Sequence, residues 1–150
     1  MNNDASERSQ PAEAGETRST ITVDSIVVKR DRIICDITVS CEQFRYTTPE
    51  LASCALASFP TLGDHACVNG AGATFGCVIA HTSLPHLLEH VWIELLVRSS
   101  NDSRARFVGT TEWIDEAKGS ARVQVSYRDD LQALRTFNET LRFLNIAVLG

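Results

Sequence analysis

Between Leu84 and Val97 the chain places apolar residues at 84, 87, 88, 91, 92, 95 and 96. That recurrence follows the 3.6-residue period of an α-helix and defines one broad apolar face. A helix with such a face is stable only when packed, so the remainder of the chain must supply a surface to cover it. Thr82 or Ser83 stands where an N-cap is needed, ahead of Pro85.

The flanking segments supply that surface as strands. ITVDSIVVKRDRIICDITVS, residues 21–40, is dense in Val, Ile and Thr and is interrupted by Lys29-Arg30-Asp31-Arg32, which predicts a hairpin. Ala105–Ile114 and Ser120–Tyr127 read as two further strands joined by a turn over Asp115–Gly119. Thr48-Pro49-Glu50 opens a short helix through Leu51, Cys54, Ala55 and Phe59, closed by Pro60. Asp129 or Asp130 caps a last helix bearing Leu131, Leu134, Phe137, Leu141 and Leu144. A glycine-rich loop spans Thr61–Ser83, with Phe75–Ala80 as a short strand inside it. The resulting fold class is α+β: a mainly antiparallel sheet with helices packed on one face, in two ββα-like halves.

Residues 1–18 carry almost no large apolar side chain and are expected to form a disordered tail, leaving 19–150 as a single domain. No signal peptide or membrane-spanning run is legible, so the expected compartment is the cytoplasm. Fourteen Lys and Arg against 19 Asp and Glu give a formal net charge of −5, which excludes a nucleic-acid footprint. Five cysteines, at 35, 41, 54, 67 and 77, form no CxxC pair. They read as packed core thiols rather than a disulfide framework, with Cys67 set apart by its neighbours.

Within the main helix His86-Leu87-Leu88-Glu89-His90 is an H-x-x-E-H motif. Histidines four apart project from one helix face a single turn apart, a spacing that suits two ligands of one tetrahedral zinc. Glu89 borders the same face and can take a proton from water there. Such a cluster is also compatible with a solvated helix flank. Against that stands Asp64-His65-Ala66-Cys67, just upstream. A catalytic zinc keeps three protein ligands, and Cys67 or His65 could supply the third. Glu94, one turn beyond His90, competes for that place, but it reads equally as an exposed helical glutamate or as a partner to a ligating histidine. His81 could bind or orient substrate, or be an ordinary loop histidine. A Cys67 nucleophile beside His65 leaves the H-x-x-E-H helix unexplained. The glycines form no phosphate cradle, and no G-x-S-x-G elbow is present.

Phe59-Pro60-Thr61-Leu62-Gly63-Asp64-His65-Ala66-Cys67 resembles the Leu-Pro-Ser-Leu-x-Glu-His-x-Cys segment of the N-terminal domain of cyanophycin synthetases. Thr82–Leu95 is similar to the same family's Gly-Thr-x-x-Gly-His-x-x-Glu-His-x-x-x-Glu-Leu. Arg122–Tyr127 and the last helix look like its Val-Val-Tyr-Glu-Tyr strand and Ala-rich helix. The resemblance implies Cys67, His86 and His90 as zinc ligands and Glu89 as general base, within a fold group that includes pitrilysin-type peptidases and S-ribosylhomocysteinases. It further implies hydrolysis of an amide or isopeptide bond. Gly109-Thr110-Thr111-Glu112 stands where the family usually reads Gly-Arg-Thr-Arg, removing two arginines suited to carboxylates. The expectation is a zinc-dependent hydrolase acting on a peptide or a small amide-containing substrate, with a homo-oligomer as a further expectation. Two alternatives are a non-catalytic peptide-binding or scaffold module, and a metal-dependent lyase with Glu89 and Cys77 as acid and base.

Overall fold

β-Branched residues favour the pleated, half-buried surface of a sheet, and the two Val/Ile-rich segments form hairpins in the computed structural model, which describes residues 19–69 and 72–150. The expected tail, residues 1–18, lies outside the described residues. Strand β1 (Ile21–Val28) pairs antiparallel with β2 (Arg32–Val39). Near the C-terminus β5 (Gly109–Asp115) pairs antiparallel with β6 (Ser120–Ser126). β2 and β6 then join the hairpins, giving one antiparallel sheet in the order β1-β2-β6-β5. Period-2 alternation sorts its two faces. Ile33, Cys35, Ile37 and Val39 of β2 and Ala121, Val123 and Val125 of β6 are buried, while Asp36 and Arg122 pair on the other face.

Among the described residues three α-helices complete the α+β fold. Helix α1 (Pro49–Ser58) is capped by the Thr48 hydroxyl, which accepts from Leu51 N–H at 3.2 Å. Helix α2 (Leu84–Ser99) is capped by Ser83, which accepts from His86 N–H, and helix α3 (Asp130–Ala147) by Asp129, which accepts from Gln132 N–H. α2 packs on β5 and β6 and against α3. Trp92 is central there: its ring lies 4.7 Å from Phe137, and its indole N–H donates to the Ala133 carbonyl. No helix among the described residues is long and apolar enough to cross a membrane.

Several expectations need correction. Phe75–Ala80 is not a strand: Phe75–Cys77 is a 3₁₀ turn, and the small ribbon in this region is β3 (Ala66–Asn69) with β4 (Gly72–Thr74). The physical reason is a close approach of backbones, since a Cβ at Gly76 would lie 2.9 Å from the Gly63 carbonyl oxygen. β5 starts at Gly109 rather than Ala105. Leu131 points to solvent in the first turn of α3, where only Ala133, Thr136, Phe137, Thr140 and Leu144 are buried. Of the cysteines only Cys35 is a buried core residue, its thiol pushed up to about 12 by burial and by Asp36. Cys41, Cys54 and Cys77 are exposed, on turns and the outer side of α1.

Candidate metal centre

α2 carries His86, His90 and Glu94 at successive four-residue intervals, so all three lie along one side of the helix. His90 and Glu94 are buried and His86 is half-buried. Cys67 arrives from β3, which is tied to the helix layer through the turn Leu62–Asp64 and its contact with Phe75–Cys77. The Cys67 Sγ lies 3.5 Å from His86 Nε2, and the Nε2 atoms of His86 and His90 are 3.2 Å apart. One donor atom from each of Cys67, His86 and His90 falls within 4.8 Å of the others, a set able to hold a metal ion.

Each imidazole is held from behind. Thr82 Oγ1 lies 2.8 Å from His86 Nδ1. His90 Nδ1 lies 3.1 Å from His65 Nδ1, and His65 Nε2 lies 2.6 Å from Glu94 Oε2. Phe75, fully buried, stacks on the His90 ring at 4.0 Å and 16° and meets His86 edge-on. Burial lowers the pKa of both rings; that of His90 falls to about 3, with His86 and His65 adding to the effect. These imidazoles are neutral near pH 7, the form that ligates.

Glu89 is buried beside this group, its Oε1 4.0 Å from His90 Nε2. Burial raises its carboxyl pKa, and a hydrogen bond donated by the Thr111 hydroxyl partly offsets the rise. The approach is close enough that a Cβ on Gly109 would lie 2.7 Å from Glu89 Cγ. In front of these residues opens a cleft of about 680 Å³, walled by β5 residues through Trp113, by Phe107 and by Cys67, His86, Glu89 and His90.

The sequence candidates thus separate. Cys67, His86, Glu89 and His90 converge on one cleft. His65 and Glu94 adjoin it, but both ring nitrogens of His65 are engaged, by His90 and by Glu94. Glu94 is not the exposed glutamate of one reading: Thr61 and Arg98 also reach its carboxylate. Burial alone would push its pKa up, yet the bonds from Thr61 and His65, with the Arg98 charge, hold it below the ordinary value. His81 is exposed and stands apart from the donor set and the cleft lining, as does Cys77. No spacing in the sequence marks Phe75 or Thr111 as a partner of the site, and Thr82 reads there only as a cap. The four-residue step from His90 to Glu94 is the signal by which the buried carboxylate could be found. The chain matches no family model and no curated protein sequence.

Proposed function

We propose that the chain is a zinc-dependent hydrolase of amide or isopeptide bonds, with Cys67, His86 and His90 as zinc ligands and Glu89 as general base. One observation carries the reading: a thiol and two imidazoles meet in a cleft beside a buried carboxylate. Zinc–nitrogen bonds of about 2.0–2.1 Å and zinc–sulfur bonds of about 2.3 Å in a tetrahedron separate donors by roughly 3.3–3.6 Å. The N–N and S–N distances of 3.2 and 3.5 Å suit that arrangement. Three protein donors leave a fourth position open, the pattern of catalytic rather than structural zinc.

When bound, zinc supplies a Lewis acid and a water acidified toward neutral pH. Glu89, at the wall of the cleft, would accept the proton of the attacking water in its carboxylate form and return it to the leaving amine. Its partly desolvated carboxylate is a better base than an exposed one. Thr111 holds one oxygen, leaving Oε1 toward His90 as the working atom. β5 is an edge strand, so alternate backbone N–H and C=O groups have no partner in the sheet. Its residues line the cleft, which favours an extended peptide as the substrate form.

The test combines elemental analysis with kinetics on α-peptides and β-aspartyl isopeptides. About one zinc per chain is expected in the wild type and none in Cys67→Ala or His86→Ala. Glu89→Gln should keep zinc and lose at least about 100-fold in turnover. Zinc present with no hydrolysis of any amide moves the assignment to a binding module; full activity in Glu89→Gln removes the mechanism.

A further inference from the structure

We propose that His65 and Glu94 are positioning residues: with His90 they form a hydrogen-bonded column that holds the His90 ring in its Nδ1–H tautomer and turns the Nε2 lone pair toward His86 and Cys67. The proposal deepens the metal-site reading and rests on it for its purpose, while the column itself is a property of the protein alone.

The direction of each bond follows from counting protons. An ionised carboxylate only accepts, and Glu94 accepts at Oε1 from the Thr61 hydroxyl and is ion-paired there with Arg98, whose Nε lies 3.3 Å away. Its other oxygen, 2.6 Å from His65 Nε2, therefore receives the His65 proton. When the His65 ring carries that one proton alone, its Nδ1 is a lone pair. That lone pair faces His90 Nδ1 at 3.1 Å, so the proton between the two rings belongs to His90. With its one proton committed there, His90 presents a bare Nε2 3.2 Å from His86 Nε2.

Packing makes the column rigid. The side chains of His65, His90 and Glu94 are 15%, 4% and 6% exposed, and Phe75 fixes the plane of the His90 ring. Glu94 and His90 come from one helix a turn apart, and His65 bridges them from outside it. Burying a carboxylate is costly without several partners. Of its three partners here, Thr61 and Arg98 hold it in place and His65 leads on to His90 of the donor set. A ligating histidine commonly hands its other N–H to a carboxylate; in this chain a second histidine carries that contact across the gap.

Three measurements test the column. Long-range ¹H–¹⁵N spectra of histidine-labelled, zinc-free wild type should show His90 as the Nδ1–H tautomer and His65 as the Nε2–H tautomer. Competition titration with a chelator should show zinc binding weakened about 10–100-fold in Glu94→Gln and in His65→Ala, with one zinc still held at saturation. Cobalt substituted into these variants should keep the wild-type thiolate charge-transfer and d–d bands, because no ligand has been lost. The idea is overturned by His90 in the Nε2–H form, by unchanged zinc affinity in both variants, or by a cobalt spectrum showing a changed ligand set. If the wild type binds no zinc, the metal reading fails, and the tautomers of the zinc-free protein still decide whether the column exists.

Discussion

At the scale of single residues, the most demanding position is one with no side chain. Gly109 begins β5 directly against Glu89, and a methyl group there would lie 2.7 Å from both Cγ and Oε1 of that carboxylate. The Glu89 side chain is buried and tied to Thr111 on the same strand, so it has little room to yield. Gly109→Ala should therefore displace the carboxylate rather than simply crowd a surface. The expected result is a fold retained at a cost of about 1–3 kcal/mol, zinc content unchanged, and turnover down by roughly 100-fold, the penalty for misplacing a catalytic group by an ångström. Turnover and zinc content measured on the same preparation check this; wild-type turnover would show that Glu89 has no need of its place. The three- and four-residue spacing made the shared side of His86, Glu89 and His90 legible in the sequence, whereas Cys67 was separated from His65 only by the family resemblance. Gly109 and Thr111 match the glycine and threonine of the Gly-Arg-Thr-Arg segment, but their contact with Glu89, between α2 and a strand 20 residues later in the chain, is recorded by no local pattern. The cysteines misled for a related reason: average burial tendencies describe Cys35 well but say nothing of Cys41, Cys54 or Cys77, which sit on turns and an outer helix face.

At the scale of elements, each hairpin was readable from composition, but the joint between them was not. β2 and β6 meet over seven paired residues, from Arg32 with Ser126 to Thr38 with Ser120. On the outer face of that joint Arg122 donates twice to Asp36, at 2.8 and 3.0 Å. Those bonds, chiefly, hold the Asp36 carboxyl below its ordinary value of 3.8. A carboxyl with a depressed folded pKa binds fewer protons when folded than when unfolded. Its stabilisation is complete above the ordinary pKa and is lost as pH falls through the depressed value. The pair faces water, so the effect is small, but its sign is definite. Asp36→Asn should be less stable than wild type near pH 6 in urea unfolding, and the gap should close as pH falls toward 2.5. A gap independent of pH would mean that the joint gains nothing from the ionised pair. The misread strand at Phe75–Ala80 belongs to this scale too. Its apolar run suggested extended chain, whereas the Gly63–Gly76 contact lets two 3₁₀ turns pack together, and that packing delivers Phe75 to the back of the His90 ring.

At the scale of the molecule, the site is where parts far apart in the chain are held against one another. α2 lies on the sheet near β5, while the segment from Leu62 to Cys77 has, among its described residues, a short two-stranded ribbon and two turns. Its links to the helix are the packing of Phe75, the bonds of His65 and the approach of Cys67 to His86. An ion shared by Cys67, His86 and His90 would add a bond between that segment and the helix in the folded state alone. Unfolding would separate the donors, so binding must stabilise the fold by linkage, by about 2.7 kcal/mol at a free zinc concentration 100 times the Kd. For a chain of this length the melting temperature should rise by about 5–10 °C, and removal of zinc with a chelator should reverse the shift. Hydrogen exchange should place the largest gain in protection between Leu62 and Cys67 and in the first two turns of α2, with little change in β1 or β2. Cys67→Ala should lose both the thermal shift and the local protection. A melting temperature that ignores zinc in the wild type would separate the two halves of the argument, leaving the convergence of the four residues as packing and withdrawing the ion from the centre of it.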